Sequence, residues 1–436
     1  MLFRPVVPSP VASRSASASP RSSWGWLAAL PLVLALAACG GGDSGSSTDS
    51  GIDTGMDAAS DVAGARAPDA ARLPRSTLSR AAQLGKSIFH DTSLSGSGRM
   101  SCATCHAPEL GHASPFATPA AMGGRRLDRP GMRTPPTLRY LRFNAAFDEA
   151  GGSRPFGGFF WDGRAATLKE QARGPLLNPN EMANRDVADV VAKLAAAPYA
   201  PRFREVFGAD IFNDPELAFR RMTLALQRYQ LEDPEFAPFS SKFDEVNAGR
   251  ATFTAQEANG LALFNRPDKG NCALCHISTK PANAPGALFT DFGYDNLGVP
   301  RNADIAANAD PAFFDRGLCG DTRTDLAART DLCGSFKVPT LRNVALRKHF
   351  FHNGVFETLE QVIRFYARRD THPELFYPLD ASGNPVVFND LPRALRGNVT
   401  SQPPFGRTAG QAPALTHGEI EDIAAFLRTL TDGYAP

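Results

Sequence analysis

The chain has 436 residues, enough for two or three domains, and with 43% apolar and 21% charged residues it is not a wholly disordered protein. Its 46 basic and 45 acidic side chains nearly balance, so it lacks the basic excess of a nucleic-acid-binding protein, and we predict no nucleic-acid partner. Seven cysteines in so long a chain exclude a small disulfide-rich scaffold.

Residues 1–38 have the pattern of an export signal. Three arginines and no acidic residue precede an apolar run over 24–38, which is short for a membrane span but suits the core of a signal peptide. Small residues end this run directly before Cys39, and the arrangement resembles the bacterial lipoprotein box. The resemblance implies cleavage before Cys39, a lipid on its sulfur and a periplasmic protein anchored to the membrane, with Gly40 permitting sorting to the outer membrane. An ordinary secretory signal is the alternative.

The segment 39–75 is rich in Gly, Ser, Asp and Ala and has almost no large apolar side chain. Such a composition cannot bury a core, so we predict a flexible tether between the lipid anchor and the folded part. The tether would hold the folded part away from the membrane surface.

Two pentapeptides of the form C-x-x-C-H organise the rest of the chain. They are Cys102-Ala-Thr-Cys105-His106 and Cys272-Ala-Leu-Cys275-His276. Two thiols three residues apart reach both vinyl groups of one haem, and the adjacent histidine then points at the iron as its proximal ligand. The alternatives are a redox C-x-x-C pair or half of a zinc site, but a zinc site requires the two motifs to converge across about 170 residues. We therefore predict two covalently bound c-type haems.

Each motif follows a segment with the pattern of the first helix of a cytochrome c domain. Gly85 and Gly260 each precede an apolar pair three and four residues later, and a glycine at that point permits close crossing of two helices. The second copy begins with a capping box at Thr254, and a closing helix begins with another at Thr416.

Strand signals are sparse between these helices, and the many Pro and Gly residues indicate long connecting loops. We predict a mainly α fold with two cytochrome c-like haem domains, one over 76–250 and the other over 251–436.

Cys319 and Cys333 lie outside both pentapeptides, in a loop. Free thiols are a liability in an exported protein, so we predict a disulfide between them. A bridge that closes about 15 residues contributes about 3 kcal/mol in the chain-entropy model. Two free thiols are the alternative.

The second domain contains no methionine, because all seven lie at or before position 222. Its haem therefore cannot obtain His/Met ligation from its own domain. The candidate sixth ligands are histidines and tyrosines, namely His349, His352, His372, His417, Tyr294, Tyr366 and Tyr377. Tyr366 falls on the apolar face of a predicted helix, and periodicity alone favours a core tyrosine at this position.

The chain resembles the bacterial dihaem cytochrome c peroxidases and the related MauG enzymes over about 78–435. The resemblance rests on both C-x-x-C-H motifs and on two further blocks. The first block runs from Phe159-Phe160-Trp161-Asp162-Gly163-Arg164 to Glu181-Met182, and the second from Phe336-Lys-Val-Pro-Thr-Leu-Arg342-Asn343 to His352-Asn-Gly354.

The resemblance implies that the haem on His106 is the peroxidatic haem. Glu181 then acts as the acid/base in its distal pocket, and Gln171 and Pro175 line the same pocket, with Pro175 shaping the turn between the other two. Trp161 lies between the haems and helps electrons pass. Without the resemblance, Glu181 is a solvated surface acid, Gln171 a helix-surface amide and Trp161 a core aromatic residue.

The haem on His276 is, by the same resemblance, the electron-transfer haem. Tyr366 stands where ordinary peroxidases have a methionine ligand and MauG has a tyrosine, which agrees with the absence of methionine from this domain. The resemblance therefore implies Tyr366 as the ligand, and His352 is the second candidate.

The first haem departs from the ordinary pattern. Many members have a distal histidine about sixteen residues after the proximal one, released on reduction, and this chain has none there. His112, Met122 or Met132 could substitute, but we predict an open or weakly liganded iron.

Two further departures concern calcium and the protein partner. The family binds Ca²⁺ through an asparagine and two backbone carbonyls, and Thr134 stands at the asparagine position, so calcium is doubtful. The surface tryptophan that MauG directs toward its partner is replaced by Gly270.

These observations predict an exported, lipid-anchored dihaem peroxidase. It would reduce H2O2 to water with electrons from a small cytochrome c or copper protein. The first alternative is a MauG-like enzyme that oxidises side chains of a partner protein. The second is a dihaem electron carrier without turnover.

Overall fold

A computed structural model describes residues 78–149 and 154–435. The predicted signal at 1–38, the tether at 39–75 and the lipid-bearing Cys39 lie outside the described residues. Within the described residues, no helix is both long enough and apolar enough to cross a membrane.

The described chain is mainly α-helical with long loops, which confirms the predicted fold class. Its α-helices are α1 (Arg80–His90), α2 (Cys102–Cys105), α3 (Leu168–Leu177), α4 (Val187–Ala196), α5 (Ala200–Phe207), α6 (Pro215–Glu232), α7 (Lys242–Asn247), α8 (Ala255–Asn265), α9 (Leu359–Arg368) and α10 (His417–Arg428). Extended structure in these segments amounts to two small antiparallel pairs, β1 (Met122–Gly123) with β2 (Arg129–Pro130) and β3 (Tyr294–Asp295) with β4 (Phe336–Lys337).

The crossing of α1 and α6 forms the centre of the first large apolar cluster. Ser79 caps α1 by accepting a hydrogen bond from the backbone N–H of Ala82. Gly85 lies at the crossing, where a Cβ atom would come within 2.0 Å of the carbonyl oxygen of Ala225. Only a glycine allows the two backbones to approach this closely.

The crossing of α8 and α10 repeats the arrangement in the second cluster. The capping boxes predicted at Thr254 and Thr416 are both present, each closed by the glutamate three residues later. A Cβ atom on Gly260 would come within 2.0 Å of the carbonyl oxygen of Asp422. Both halves of the described chain are therefore built on a glycine-mediated crossing just before a C-x-x-C-H motif.

Replacement of Gly260 by alanine is expected to destabilise the protein by about 1–3 kcal/mol, because the new methyl group has no space unless α8 and α10 move apart. Chemical denaturation of the haem-loaded protein measures the change. Gly418→Ala is the matched control, since a Cβ atom there meets nothing within 4 Å and the residue lies in the same helix pair. Equal stability of the Gly260→Ala variant and the wild type would contradict the tight crossing.

The described residues belong to one compact unit, within which the two apolar clusters are separate. The first cluster runs from Leu84 to Phe236 and the second from Phe243 to Leu430. Phe243 packs in the second cluster although it precedes the predicted boundary at residue 250. The division into domains at 76–250 and 251–436 stays a prediction.

The loop that contains Cys319 and Cys333 packs against the turn after Trp161. The structure joins the two cysteines in a disulfide, with their Cα atoms 4.9 Å apart. Inside this loop, Thr322 donates a hydrogen bond to the Asp162 carboxylate at 2.7 Å and Arg323 donates one to the Asp162 carbonyl at 2.8 Å. The loop therefore holds the residue that follows Trp161.

Candidate active site

The first C-x-x-C-H motif forms one helical turn followed by its histidine. Cys102 and Cys105 begin and end α2, are half-buried and form no disulfide. His106 follows directly, and its Nδ1 donates to the carbonyl oxygen of His112 at 3.3 Å. Burial lowers the pKa of His106 to about 4, so its imidazole is neutral at pH 7 and Nε2 is available to a metal ion.

The second motif presents the same three donor groups, on a 3-10 turn over Cys272–Leu274. Cys272 and Cys275 are also half-buried and unpaired, and the Nδ1 of His276 donates to the carbonyl oxygen of Phe289 at 3.0 Å. Burial is the main cause of a lowered pKa of His276. Both histidines thus have one ring nitrogen fixed by a backbone carbonyl, which orients the other nitrogen as a ligand.

A cavity lies against each motif. The first has a volume of about 420 Å³ and is lined by Cys102, Cys105 and His106, and the second has about 180 Å³ and is lined by the corresponding residues of the second motif. Each cavity therefore presents two thiols and a neutral imidazole to one apolar space. This donor set fits a covalently attached haem with histidine on the iron.

Trp161 lines both cavities. Its side chain is 6% exposed, and its Nε1–H donates to the carbonyl oxygen of Thr134 at 2.8 Å. Its own carbonyl accepts from the backbone N–H of Lys337 at 2.9 Å, which ties the turn to β4. The indole is thus a fixed aromatic group between the two cavities.

Gln171 and Glu181 both line the first cavity, as does Pro175. Gln171 lies on α3, but Pro175 also lies inside this helix, so the prediction that Pro175 shapes the turn was wrong in its placement. A proline has no N–H for the helix, and α3 ends two residues later at Leu177. The turn that carries Glu181 therefore starts at Asn178, after the end of the helix that contains Pro175.

Hydrogen bonds fix the turn of Glu181 on both sides. Its N–H donates to the carbonyl of Asn178 at 3.0 Å, and its carbonyl accepts from the N–H of Gly124 at 2.8 Å. A Cβ atom on Gly123 would come within 2.2 Å of the Asn180 carbonyl oxygen, so β1 contacts this turn through its glycine backbone. The carboxyl group is consequently presented to the cavity by a rigid turn.

Burial raises the pKa of Glu181 above its ordinary value. The positive charge of Arg164 and a hydrogen bond with the Asn178 side chain act in the opposite direction. Arg164 is itself fixed by Asp162 at 2.8 Å and by stacking on the ring of Phe160. A raised carboxyl pKa moves Glu181 toward the range in which it both accepts and returns a proton near neutral pH.

Comparison with known proteins identifies the family. A family model described as di-haem cytochrome c peroxidase matches residues 79–252. The methylamine utilization protein MauG of Paracoccus denitrificans is 37% identical over 363 residues, which are 80% of this chain and 88% of that protein. The chain belongs to the dihaem cytochrome c peroxidase and MauG family.

Other relatives agree with this assignment. Cytochrome c551 peroxidase of Nitrosomonas europaea is 33% identical over 297 residues, covering 66% of this chain and 72% of that one. The crystal structure of the dihaem peroxidase BthA from Burkholderia thailandensis superimposes with a TM-score of 0.73 and 43% identity, over 81% of this chain and 86% of that chain. The family predicted from the sequence is confirmed, and membership makes the protein a peroxidase-type oxidoreductase with two c-type haems.

The structure distinguishes among the residues considered as a sixth ligand of the first haem of this family member. His112 does not line the first cavity. Its carbonyl accepts from His106, and its ring packs against Phe89 and Phe236. Met122 is 41% exposed and also lies outside the cavity. Of the three candidates only Met132 lines it.

At the second haem of the family, Tyr366 and His352 both line the cavity. Burial raises the pKa of Tyr366, and the haem cysteines Cys275 and Cys272 are near enough to add to this effect. His352 instead interacts with the Asp315 and Arg133 charges, away from the cysteines, and its ring stacks on Phe336 at 3.5 Å. This placement favours Tyr366 over His352 as the ligand of the second haem. The other five candidates do not line the cavity, and they are His349, His372, His417, Tyr294 and Tyr377.

The position at which the family binds calcium is a poor match. Thr134 supplies a hydroxyl instead of an amide oxygen, and its backbone carbonyl already accepts from Trp161. Its buried Oγ1 has no hydrogen-bond partner. In the described ranges no group of three or more His, Cys, Asp or Glu side chains could hold a metal ion. Ca²⁺ prefers six to eight oxygen ligands with carboxylates among them, and the doubtful calcium site stays a prediction.

Gly270 lines the second cavity directly beside the haem cysteine. A Cβ atom on it would come within 2.8 Å of the Leu263 carbonyl oxygen and 3.2 Å of the Cys272 Sγ. A tryptophan in place of Gly270 would therefore require the backbone to move.

Lys337, for which the sequence predicts no role, lines both cavities beside Trp161. Its ammonium group binds the carbonyl of Gly157 and lies 4.4 Å from the ring centre of Tyr294. Burial lowers the pKa of Lys337 to about 7. Its position in the second family block was the only signal, and nothing in the sequence shows that β4 pairs with β3 beside Trp161.

Proposed function

We propose that the protein reduces H2O2 to water at the haem held by His106, with electrons that arrive through the haem held by His276. The observation that carries this proposal is the meeting of Glu181 and Gln171 in the first cavity, in which His106 is the one histidine among the described lining residues. No described histidine is therefore available there to occupy the peroxide side of the iron.

The reaction consumes two electrons and two protons, and H2O2 leaves as two molecules of water. When bound, the haem supplies the iron that binds peroxide and the redox equivalents that cleave its O–O bond. Glu181 would accept a proton from one oxygen of the peroxide and return it to the other, which could then depart as water. The Gln171 amide, which lines the same cavity as Glu181, would orient the peroxide by hydrogen bonding.

Trp161 supports electron transfer between the two sites because its indole lines both cavities and is held by Thr134 and β4. We propose a small periplasmic cytochrome c or copper protein as the donor. A donor of this kind delivers one electron at a time, so each H2O2 requires two donor molecules.

A MauG-like function, oxidation of side chains in a partner protein, is the second candidate. Tyr366 in the second cavity favours it, because an anionic oxygen ligand stabilises oxidised iron. The 37% identity to MauG points the same way. Gly270 counts against it, since the backbone there has no space for the partner-facing tryptophan.

A steady-state assay on the as-isolated, fully oxidised protein tests the proposal. H2O2 is supplied with a reduced small cytochrome c or a reduced copper protein, and the loss of donor is followed by its absorbance. We expect immediate turnover with two donor molecules oxidised per H2O2, because no distal histidine has to be released first.

Two results would contradict the proposal. A protein that is inert until one haem is reduced must have a ligand that blocks the iron of the first haem. Met132 is the candidate for this ligand, because it lines the first cavity. Rapid reaction of one equivalent of H2O2 without turnover on any small donor favours the MauG-like function, and no reaction with H2O2 indicates an electron carrier.

A further inference from the structure

Arg347 is a cation without a carboxylate partner. It is half-buried and lines the second cavity. Its Nε–H donates to the carbonyl oxygen of His349 at 3.3 Å. Among the described residues no carboxylate lies within 4.0 Å of its guanidinium group.

Two arginines that are less exposed than most, Arg133 and Arg342, are paired with carboxylates. Arg133 binds the carboxylates of Asp162 and Asp315 at 2.7 and 2.6 Å, and Arg342 binds Asp244 at 2.8 Å. These pairs follow the rule that a buried charge needs an opposite charge and hydrogen bonds. The guanidinium group of Arg347 at the second cavity has no such carboxylate partner among the described residues.

The environment of Arg347 disfavours its charge. Burial alone lowers its pKa to about 10, and no neighbouring carboxylate opposes the effect. A guanidinium presents a planar fork of N–H donors that matches a carboxylate in two parallel hydrogen bonds. The geometry and the charge of the Arg347 guanidinium group therefore favour binding of a carboxylate inside the second cavity.

The group that the cavity is built to hold carries such carboxylates, because a haem has two propionate side chains. We propose that the Arg347 guanidinium binds a propionate of the haem held by His276. This inference rests on a c-type haem at the second motif and does not depend on which substrate the first haem oxidises or reduces.

The other cation on the cavity wall is less suited to the task. The ammonium group of Lys337 is engaged by the carbonyl of Gly157 and lies over the ring of Tyr294. Because burial lowers its pKa to about 7, a large fraction of Lys337 is neutral at pH 7. Arg347 keeps its full charge under the same conditions.

The charge of Arg347 also reaches the first site. It contributes to the lowered pKa of His106, the proximal histidine of the first haem. A fixed positive charge near an iron centre favours the reduced form. Arg347 should therefore raise the reduction potential of the first haem through its charge near His106, and that of the second haem through the proposed propionate contact.

The test uses the haem-loaded protein and needs no peroxide. Arg347→Gln removes the charge, Arg347→Lys keeps it, and Arg364→Gln removes an exposed charge from α9 outside the cavity as the matched control.

Spectroelectrochemical titration gives the potential of each haem, and resonance Raman spectra report propionate hydrogen bonding through the propionate bending bands. For Arg347→Gln we expect about a tenfold shift of the second haem toward the ferric form, which is a fall of 59 mV for one electron. Its propionate bands should change as well.

Arg347→Lys should retain most of the wild-type potential, and Arg364→Gln all of it. Unchanged propionate bands in Arg347→Gln, or a potential shift no larger than that of Arg364→Gln, overturns the proposal. If Arg347→Gln fails to retain the second haem, Arg347→Lys decides the matter. Full haem content with a near-wild-type potential supports the proposal, and loss of haem from this variant overturns it. Because no step involves H2O2, failure here leaves the peroxidase proposal intact, and the reverse also holds.

Discussion

Replacement of Glu181 by glutamine is expected to slow H2O2 reduction about 100- to 10,000-fold, the usual cost of losing a positioned general acid/base. Glutamine keeps the size and hydrogen-bonding capacity of the side chain but cannot accept the peroxide proton. The turn that carries residue 181 is held by backbone hydrogen bonds, so its fold and the haem spectra should remain as in the wild type. Steady-state kinetics with a saturating donor measure the effect.

The pH dependence provides a second readout of the same variant. Glu181 acts in its ionised form, and burial raises its pKa above the ordinary value, so the wild-type rate should decline as the pH falls through that raised pKa. Glu181→Gln should lose this acidic limb. Glu109→Gln is the control, because Glu109 lies three residues after His106 but is exposed and outside the cavity. Near wild-type turnover of Glu181→Gln would show that another group carries the proton.

Replacement of Tyr366 by phenylalanine is expected to change the spectrum of one haem only and to raise its reduction potential. A phenolate oxygen is an anionic donor that favours ferric iron, so its removal should shift the second haem at least about tenfold toward the ferrous form, which corresponds to 59 mV. Burial raises the pKa of the free Tyr366 hydroxyl, so the ferric iron itself must displace its proton on binding. Ferric electron paramagnetic resonance and potentiometry measure both effects.

Two further variants test the specificity of this result. Tyr377→Phe removes another buried hydroxyl, which donates to the Gly298 carbonyl outside the ligand position, and should leave both haem spectra unchanged. His352→Ala should leave the ligand field unchanged as well. If His352→Ala alters the spectrum and Tyr366→Phe does not, histidine is the ligand.

The parts of the site that depend on short spacings could be read from the sequence. Two thiols and a histidine within five residues define each haem attachment wherever the motif lies in the fold. The absence of methionine beyond position 222 is a property of composition, and it pointed to an oxygen or nitrogen ligand before any contact was known. The capping boxes at Thr254 and Thr416 are equally local and are present in the structure.

The features that the sequence did not predict depend on contacts between distant segments. The exclusion of His112 from the first cavity follows from its packing with Phe236, more than 100 residues away. Arg347 looks like any surface arginine until the fold places it on a cavity wall and gives it no carboxylate. Pro175 was misplaced because a proline is an ordinary turn signal, and only the backbone shows that α3 continues past it.

The loop around Asp162 also has a consequence for how the protein is made. The six cysteines in the described chain react in two different ways, since four bind haem and two form a disulfide with each other. The structure separates them by burial, because Cys319 and Cys333 are only 1% and 2% exposed, whereas the two C-x-x-C pairs are half-buried against cavities. Closure of the Cys319–Cys333 loop removes two thiols that could compete for haem and braces the turn of Trp161. The sulfurs that then remain reactive toward haem in the described chain are those of the two C-x-x-C pairs.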